Sequence, residues 1–248
     1  MSALRSEWLK IRTTRGWWAY LGVVVLFSGI AAAGDTGSSE SARRSTLDFQ
    51  LGLVEIGGIA TLLAIILGIT VVTVEFRHGT VTPTFLARPL RERVLGAKAL
   101  VSALVGLGFG ILALIVAAAV AIPWLLIVDA ELLLGEPEIW ELAAQTLFSA
   151  VQWAVMGVAI GALVHSQVAA LVGTLLWVFV GESLLWGLFA LLDVDGLVSY
   201  LPFQSLDAAD GTAGDDLLSY WPGVAVALGW IALIGAVGLW RTLRRDIT

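Results

Sequence analysis

The chain has 248 residues, of which 58% are hydrophobic and only 14% charged, with a mean hydropathy of +0.92. That composition excludes an ordinary soluble domain and calls for a bilayer to bury the apolar surface. With no cysteine, disulfides and thiolate chemistry are excluded, and at a net charge of -6 no nucleic-acid partner is expected.

In residues 1–15, Leu4, Trp8 and Ile11 recur at helical spacing while Arg5, Lys10, Arg12 and Arg15 occupy other faces, the pattern of a helix lying in the membrane interface. Such a segment serves as an anchor on anionic lipid or as a platform that also touches a cytosolic partner. A first span is predicted over 17–34, with Trp17, Trp18 and Tyr20 at the headgroup level. Ala31, Ala32 and Ala33 mimic a signal-peptidase site, but the apolar run is longer than a usual signal core, so retention is expected.

The second span is predicted over 51–74, followed by a cytoplasmic loop over 75–94. In that loop Thr82 is a plausible N-cap, Pro83 suits a first helical position, and Arg88-Pro89 stops the turn that Thr84 to Ala87 can form. Phe85 and Leu86 are apolar residues that must bury against lipid, the chain itself or a socket in a soluble partner. Glu75 closes span two, where the helix dipole disfavours an anion, so a cation such as Arg77, Arg12 or Arg15 is expected beside it. Composition alone favours a plain basic loop that obeys the positive-inside rule.

The apolar run 94–128 is interrupted only by Lys98 and is longer than one span. It predicts a helix crossing over 95–122 that bends or ends near Pro123. Further spans are predicted over 142–164, 168–192 and 222–240, with a long outer loop over 193–221. The runs are continuous and not alternating, so the fold class is an all-α, six-span membrane protein forming one domain over 1–248.

Orientation follows from the positive charges. Arg5, Lys10, Arg12, Arg15, Arg77, Arg88, Arg91, Arg93, Lys98, Arg241, Arg244 and Arg245 fall on one face, and only Arg43 and Arg44 on the other. Both termini are therefore expected in the cytoplasm of a cell (inner) membrane protein, and the outer loops carry most of the acids.

The string SEWLKIRTTRGWW leading into span one, Glu75-Phe76-Arg77 with Gly79-Thr80, and Arg88-Pro89 with Arg93 and Lys98 beyond resemble the ABC type-2 permease family over essentially the whole chain. The resemblance implies a membrane subunit of an exporter, paired as a homodimer and driven by two copies of a separate ATP-binding-cassette ATPase that holds ATP and magnesium. It implies that Glu75, Arg77, Gly79, Thr80, Phe85, Leu86, Arg88 and Pro89 form a coupling segment docked on that ATPase. His165 stands where relatives carry a basic residue in the second inner turn, and 197–203 fits a partly re-entrant outer helix.

ATP hydrolysis by this chain would need a GxxxxGK[ST] loop, yet its lysines are only Lys10 and Lys98, preceded by Leu9 and Ala97. There is no HExxH, no GxSxG, and no metal pattern around His78 and His165, so no enzyme and no cofactor of its own is expected. Two acids fall within spans. Glu182, near the middle of span five, is a candidate for the translocation path or for a buried hydrogen-bonded glutamate; Glu55, near the outer end of span two, is a lesser candidate. Trp153, Trp177 and Trp186 offer flat surfaces for a substrate or simple gap filling, and Gly29/Ala33, Gly106/Gly110 and Gly157/Gly161 have the spacing of close helix contacts. The alternatives are a proton- or cation-coupled secondary transporter relying on Glu182, and a non-transporting partner of an ATPase in sensing or resistance.

Overall fold

The computed structural model describes residues 5–9, 16–78, 91–211 and 218–244, and every regular element among them is helical. Six helices are long and apolar enough to cross a membrane: α1 (Gly16–Ser38), α2 (Leu47–Arg77), α3 (Arg91–Ile127), α4 (Pro137–Val164), α5 (Gln167–Leu191) and α7 (Tyr220–Arg244). A short helix, α6 (Pro202–Ala208), follows a 3-10 stretch (Asp195–Tyr200) and caps one end of the bundle.

Local chemistry sets several boundaries. Thr46 caps α2 by accepting from the Phe49 N–H at 3.4 Å, and Pro137 opens α4 at a position where its missing N–H costs nothing. Asp129, His165 and Asp193, which follow α3, α4 and α5, stop those helices in the left-handed region with φ of 53°, 59° and 58°. Only His165 and Ser166 separate α4 from α5, and the Ser166 hydroxyl faces the Ala169 N–H to start the next helix. The helix expected to bend or end near Pro123 does not end there but runs four residues past it, to Ile127.

The packing centre is α4, which touches α2, α3, α5, α6 and α7. Lipid tails give helices no hydrophobic reason to associate, so close backbone approach must supply the contact energy. A Cβ on Gly68 or Gly157 would overlap the backbone carbonyl of Ala154 or Ile65, and one on Gly106 would overlap that of Ala150. The Gly106/Gly110 and Gly157/Gly161 pairs are thus close contacts, while Gly29 meets only a methyl of Val116 at ordinary distance. Gly68 belongs to the α2–α4 seam and Gly238 opens a further one between α7 and α4, neither having been paired by spacing.

On α3 the buried positions Val94, Lys98, Val101, Val105, Phe109, Ala113, Ala117, Ala121 and Leu125 form one stripe at three- and four-residue steps. Trp17 and Tyr20 lay their rings on Phe109 of this stripe, at 5.7 and 6.0 Å, whereas Trp18 is exposed. The helix ends near 5–9, 75–78, 91–98, 163–167 and 241–244 lie together and are termed the basic end. At the opposite, acidic end, Gln50 donates to the Glu131 carbonyl at 2.6 Å and accepts from the Leu133 N–H at 2.9 Å, tying two connections into one surface.

Candidate functional site

At the basic end a charged cluster is closed off from solvent. Lys98 of α3 is 2% exposed, and its Nζ lies 2.8 Å from Glu7 Oε2, 2.9 Å from Glu75 Oε1 and 3.0 Å from the Val71 carbonyl. The stripe register of α3 forces Lys98 inward, and the ammonium finds acceptors for its three protons there. Glu75 sits in the last turn of α2, where the dipole is unfavourable, and the Lys98 charge offsets that cost. One cation beside Glu75 is therefore Lys98, which was not among those anticipated. Arg77 turns to Gln167, at 3.3 Å, and Arg12 and Arg15 lie outside the described residues.

Glu7 comes from the helical segment 5–9, so the cluster pins that segment to α2 and α3. The side of this segment turned toward the bundle carries an acid, Glu7, which is buried, whereas Trp8, of the apolar set expected to face lipid, is exposed. Leu4 and Ile11 lie outside the described residues. Burying three charges is costly unless each is paired, and removing one partner leaves the others stranded.

The root of the 75–94 loop also grips the second turn. Phe76 meets the His165 ring at 4.4 Å, His165 Nε2 lies 3.0 Å from Thr242 Oγ1, and Arg241 donates to the Leu163 carbonyl at 3.1 Å. His165 is thereby buried inside the turn. Glu75, Arg77 and His165 are brought together through these contacts. Gly79, Thr80, Phe85, Leu86, Arg88 and Pro89, together with the turn expected over 83–87, lie outside the described residues.

Glu182, 2% exposed, has a different setting. Its Oε1 accepts from Trp177 Nε1 at 3.1 Å and from the Phe203 N–H at 2.8 Å, and its Oε2 from the Gln204 N–H at 3.2 Å. The N-cap position of α6 is Leu201, which has no side-chain acceptor, so Glu182 supplies the cap from another helix. A π-turn over Trp177–Gly181 makes this possible. Residues five apart lie roughly 140° from each other on an α-helix, but the i→i+5 repeat of a π-turn brings Trp177 and Glu182 onto one side. Glu55 is exposed, just before the 3-10 turn Ile56–Gly58 within α2.

Beside this cap lies an apolar cavity of about 330 Å³ between α4, α5, α6 and α7, lined by Ile160, Ala170, Trp177, Phe203, Trp230 and Ile234 among others. Of the three tryptophans singled out earlier, Trp177 lines the cavity, Trp153 packs on Phe203 at 5.5 Å, and Trp186 is exposed. Glu7, Lys98, Gln167 and Thr242 were not anticipated as participants. For Lys98 a signal existed, because it falls in register with the small residues of its own helix. Comparison with models of known protein families and with characterised proteins finds no match to this chain.

Proposed function

We propose that this chain is the membrane-spanning permease subunit of an ATP-binding-cassette exporter, with the basic end facing the cytoplasm. It pairs with a second copy and is driven by two copies of a separate ATPase. The observation that supports this reading best is the linkage at the root of the 75–94 loop. Glu75, Phe76 and Arg77 are consecutive and each reaches a different neighbour: Lys98 with Glu7, His165, and Gln167. A push on that loop from a soluble motor is thereby passed at once to the N-terminal helix, α3, α4 and α5. A loop with only topological duties has no need of such a root.

In this reading Glu75 and Arg77 transmit force, Gly79, Thr80, Phe85, Leu86, Arg88 and Pro89 make the contact, and His165 holds the second turn rigid without touching the motor. Glu182 stabilises the cap over the path, and the cavity beside it belongs to the path itself. Purification of the full chain from its native membranes in mild detergent is expected to recover a P-loop ATPase in near-equal amount. Phe85→Asp or Leu86→Asp is expected to lose that partner while still inserting, since a carboxylate in an apolar socket is costly to bury. Recovery of no ATPase with the unaltered chain, or transport driven by a pH step without ATP, overturns the proposal.

A further inference from the structure

At the acidic end, the face of α4 that meets α6 carries buried polar groups that close no well-formed hydrogen bond. Ser149 is fully buried, Gln152 is 2% exposed and Trp153 5%. Ser149 Oγ, both amide atoms of Gln152, Trp153 Nε1 and Asp210 Oδ1 make no hydrogen bond, and they are five of eight such buried side-chain atoms among the described residues. Ser149, Gln152 and Trp153 sit at i, i+3 and i+4 and so share one side of α4. The Trp153 ring lies 5.5 Å from Phe203 of α6, and the Ser149 hydroxyl lies beside Asp210, two residues past that helix, without closing a well-formed hydrogen bond.

Buried polar atoms are normally paired with protein, with ordered water or with an ion. Five such orphans on one side of α4 and beside it mark the place of a small polar guest. The charge nearby selects its sign. Asp207 acts on the Asp210 carboxylate, and residues 193–211 contain Asp193, Asp195, Asp207 and Asp210 and no Lys, Arg or His. Arg44, on another connection at this end, is committed to the Thr36 and Gly37 carbonyls. Glu182 is already satisfied by three N–H donors.

The unpaired acceptors are a carboxylate, an amide and a hydroxyl oxygen, which suit a hard cation. One carboxylate among neutral oxygens suits a single positive charge, and no group of three metal-ligating acids or histidines occurs among the described residues. The remaining donors, Gln152 Nε2 and Trp153 Nε1, suit the oxygen of a water completing the shell. We propose that Asp210, Ser149 and Gln152 form a binding site for one monovalent cation, sodium or potassium, that fastens α6 to α4.

The test is the melting temperature of the full-length purified protein at pH 8 in NaCl, KCl or choline chloride of equal concentration. Sodium or potassium is expected to raise it saturably, by at least about 2 °C over choline, because only the folded protein binds the ion. The rise is expected to vanish in Asp210→Asn and Gln152→Leu and to persist in Asp48→Asn. Equal melting in all three salts overturns the site whatever the variants do, and leaves water or a proton as the guest. A sodium or potassium effect undiminished in a folded Asp210→Asn overturns it as well.

Discussion

Lys98 and Glu75 face each other at 2.9 Å across α2 and α3, two helices consecutive in the chain. The ammonium is shared with Glu7, so one side chain holds three chain segments at a single point. Because all three groups are nearly closed to solvent, salt screens the contact little, and its loss is not repaired by water.

Lys98→Met is therefore expected to destabilise the folded protein by about 3–5 kcal/mol, the usual result of stranding buried partner charges. The combined change Glu7→Gln, Lys98→Met, Glu75→Gln should recover much of that loss, since no charge is then left unpaired. Thermal unfolding in detergent reads both. A single Lys98→Met as stable as the unaltered chain would show that the cluster holds nothing together.

Glu182→Leu leaves Trp177 Nε1 and the N–H groups of Phe203 and Gln204 without their acceptor, at about 1–3 kcal/mol for each buried donor left unmade. The loss should be local. Hydrogen exchange of the α6 amides is expected to quicken while that of α2 and α4 stays slow, and Glu182→Gln, which keeps one acceptor oxygen, should fall between. Unchanged exchange in α6 would remove Glu182 from its capping role.

Asp210 gives a pH signature of known sign. Burial, and then the nearby Asp207 charge, push its carboxyl from 3.8 up to about 7, against the opposing pull of the Ser149 hydroxyl. A group whose folded pKa is raised stabilises the fold fully below its unfolded pKa and loses that contribution as pH rises through the folded one. In choline buffer, stability should thus fall between about pH 4 and 7 relative to Asp210→Asn and level off above. Asp207 and Tyr220 act on the same charge, Glu141 acts on Tyr220, and all three remain in both proteins, so the difference between the two curves isolates Asp210. Parallel curves would contradict the assignment.

Orientation is tested by single cysteines at Ser39 on the acidic end and Ser166 on the basic end, the latter exposed in its turn. An impermeant thiol reagent applied to intact cells is expected to label the first and spare the second. The reverse pattern would invert the proposed topology.

Much of the bundle was legible because its spans are long uninterrupted apolar runs, and length alone decides what can cross. Boundaries were less so: α3 continues past Pro123 because the missing N–H breaks only one turn of a helix already held by the Ala117 and Ala121 contacts. Glu75 announced its need for a cation through its place in the last turn of α2, but which cation depended on how α3 is rotated. The stripe of small residues around Lys98 encodes that rotation. The cap on α6 was not readable, because it joins residues more than twenty apart and depends on a π-turn that no residue pattern announces.

The two-residue join at His165 and Ser166 carries a mechanical consequence. α5 spans 25 residues, so its far end stands about 37 Å from that join. A pivot of only 10° there sweeps the other end through about 6 Å, roughly the width of an aliphatic chain. In the proposed permease, the basic end is the short arm of a lever, with the fulcrum where Phe76 grips His165 and the long arm carrying Trp177 and Glu182. On that proposal stroke is gained at the acidic end in proportion to force lost, and a small displacement at the basic end is expected to part the walls around the apolar cavity.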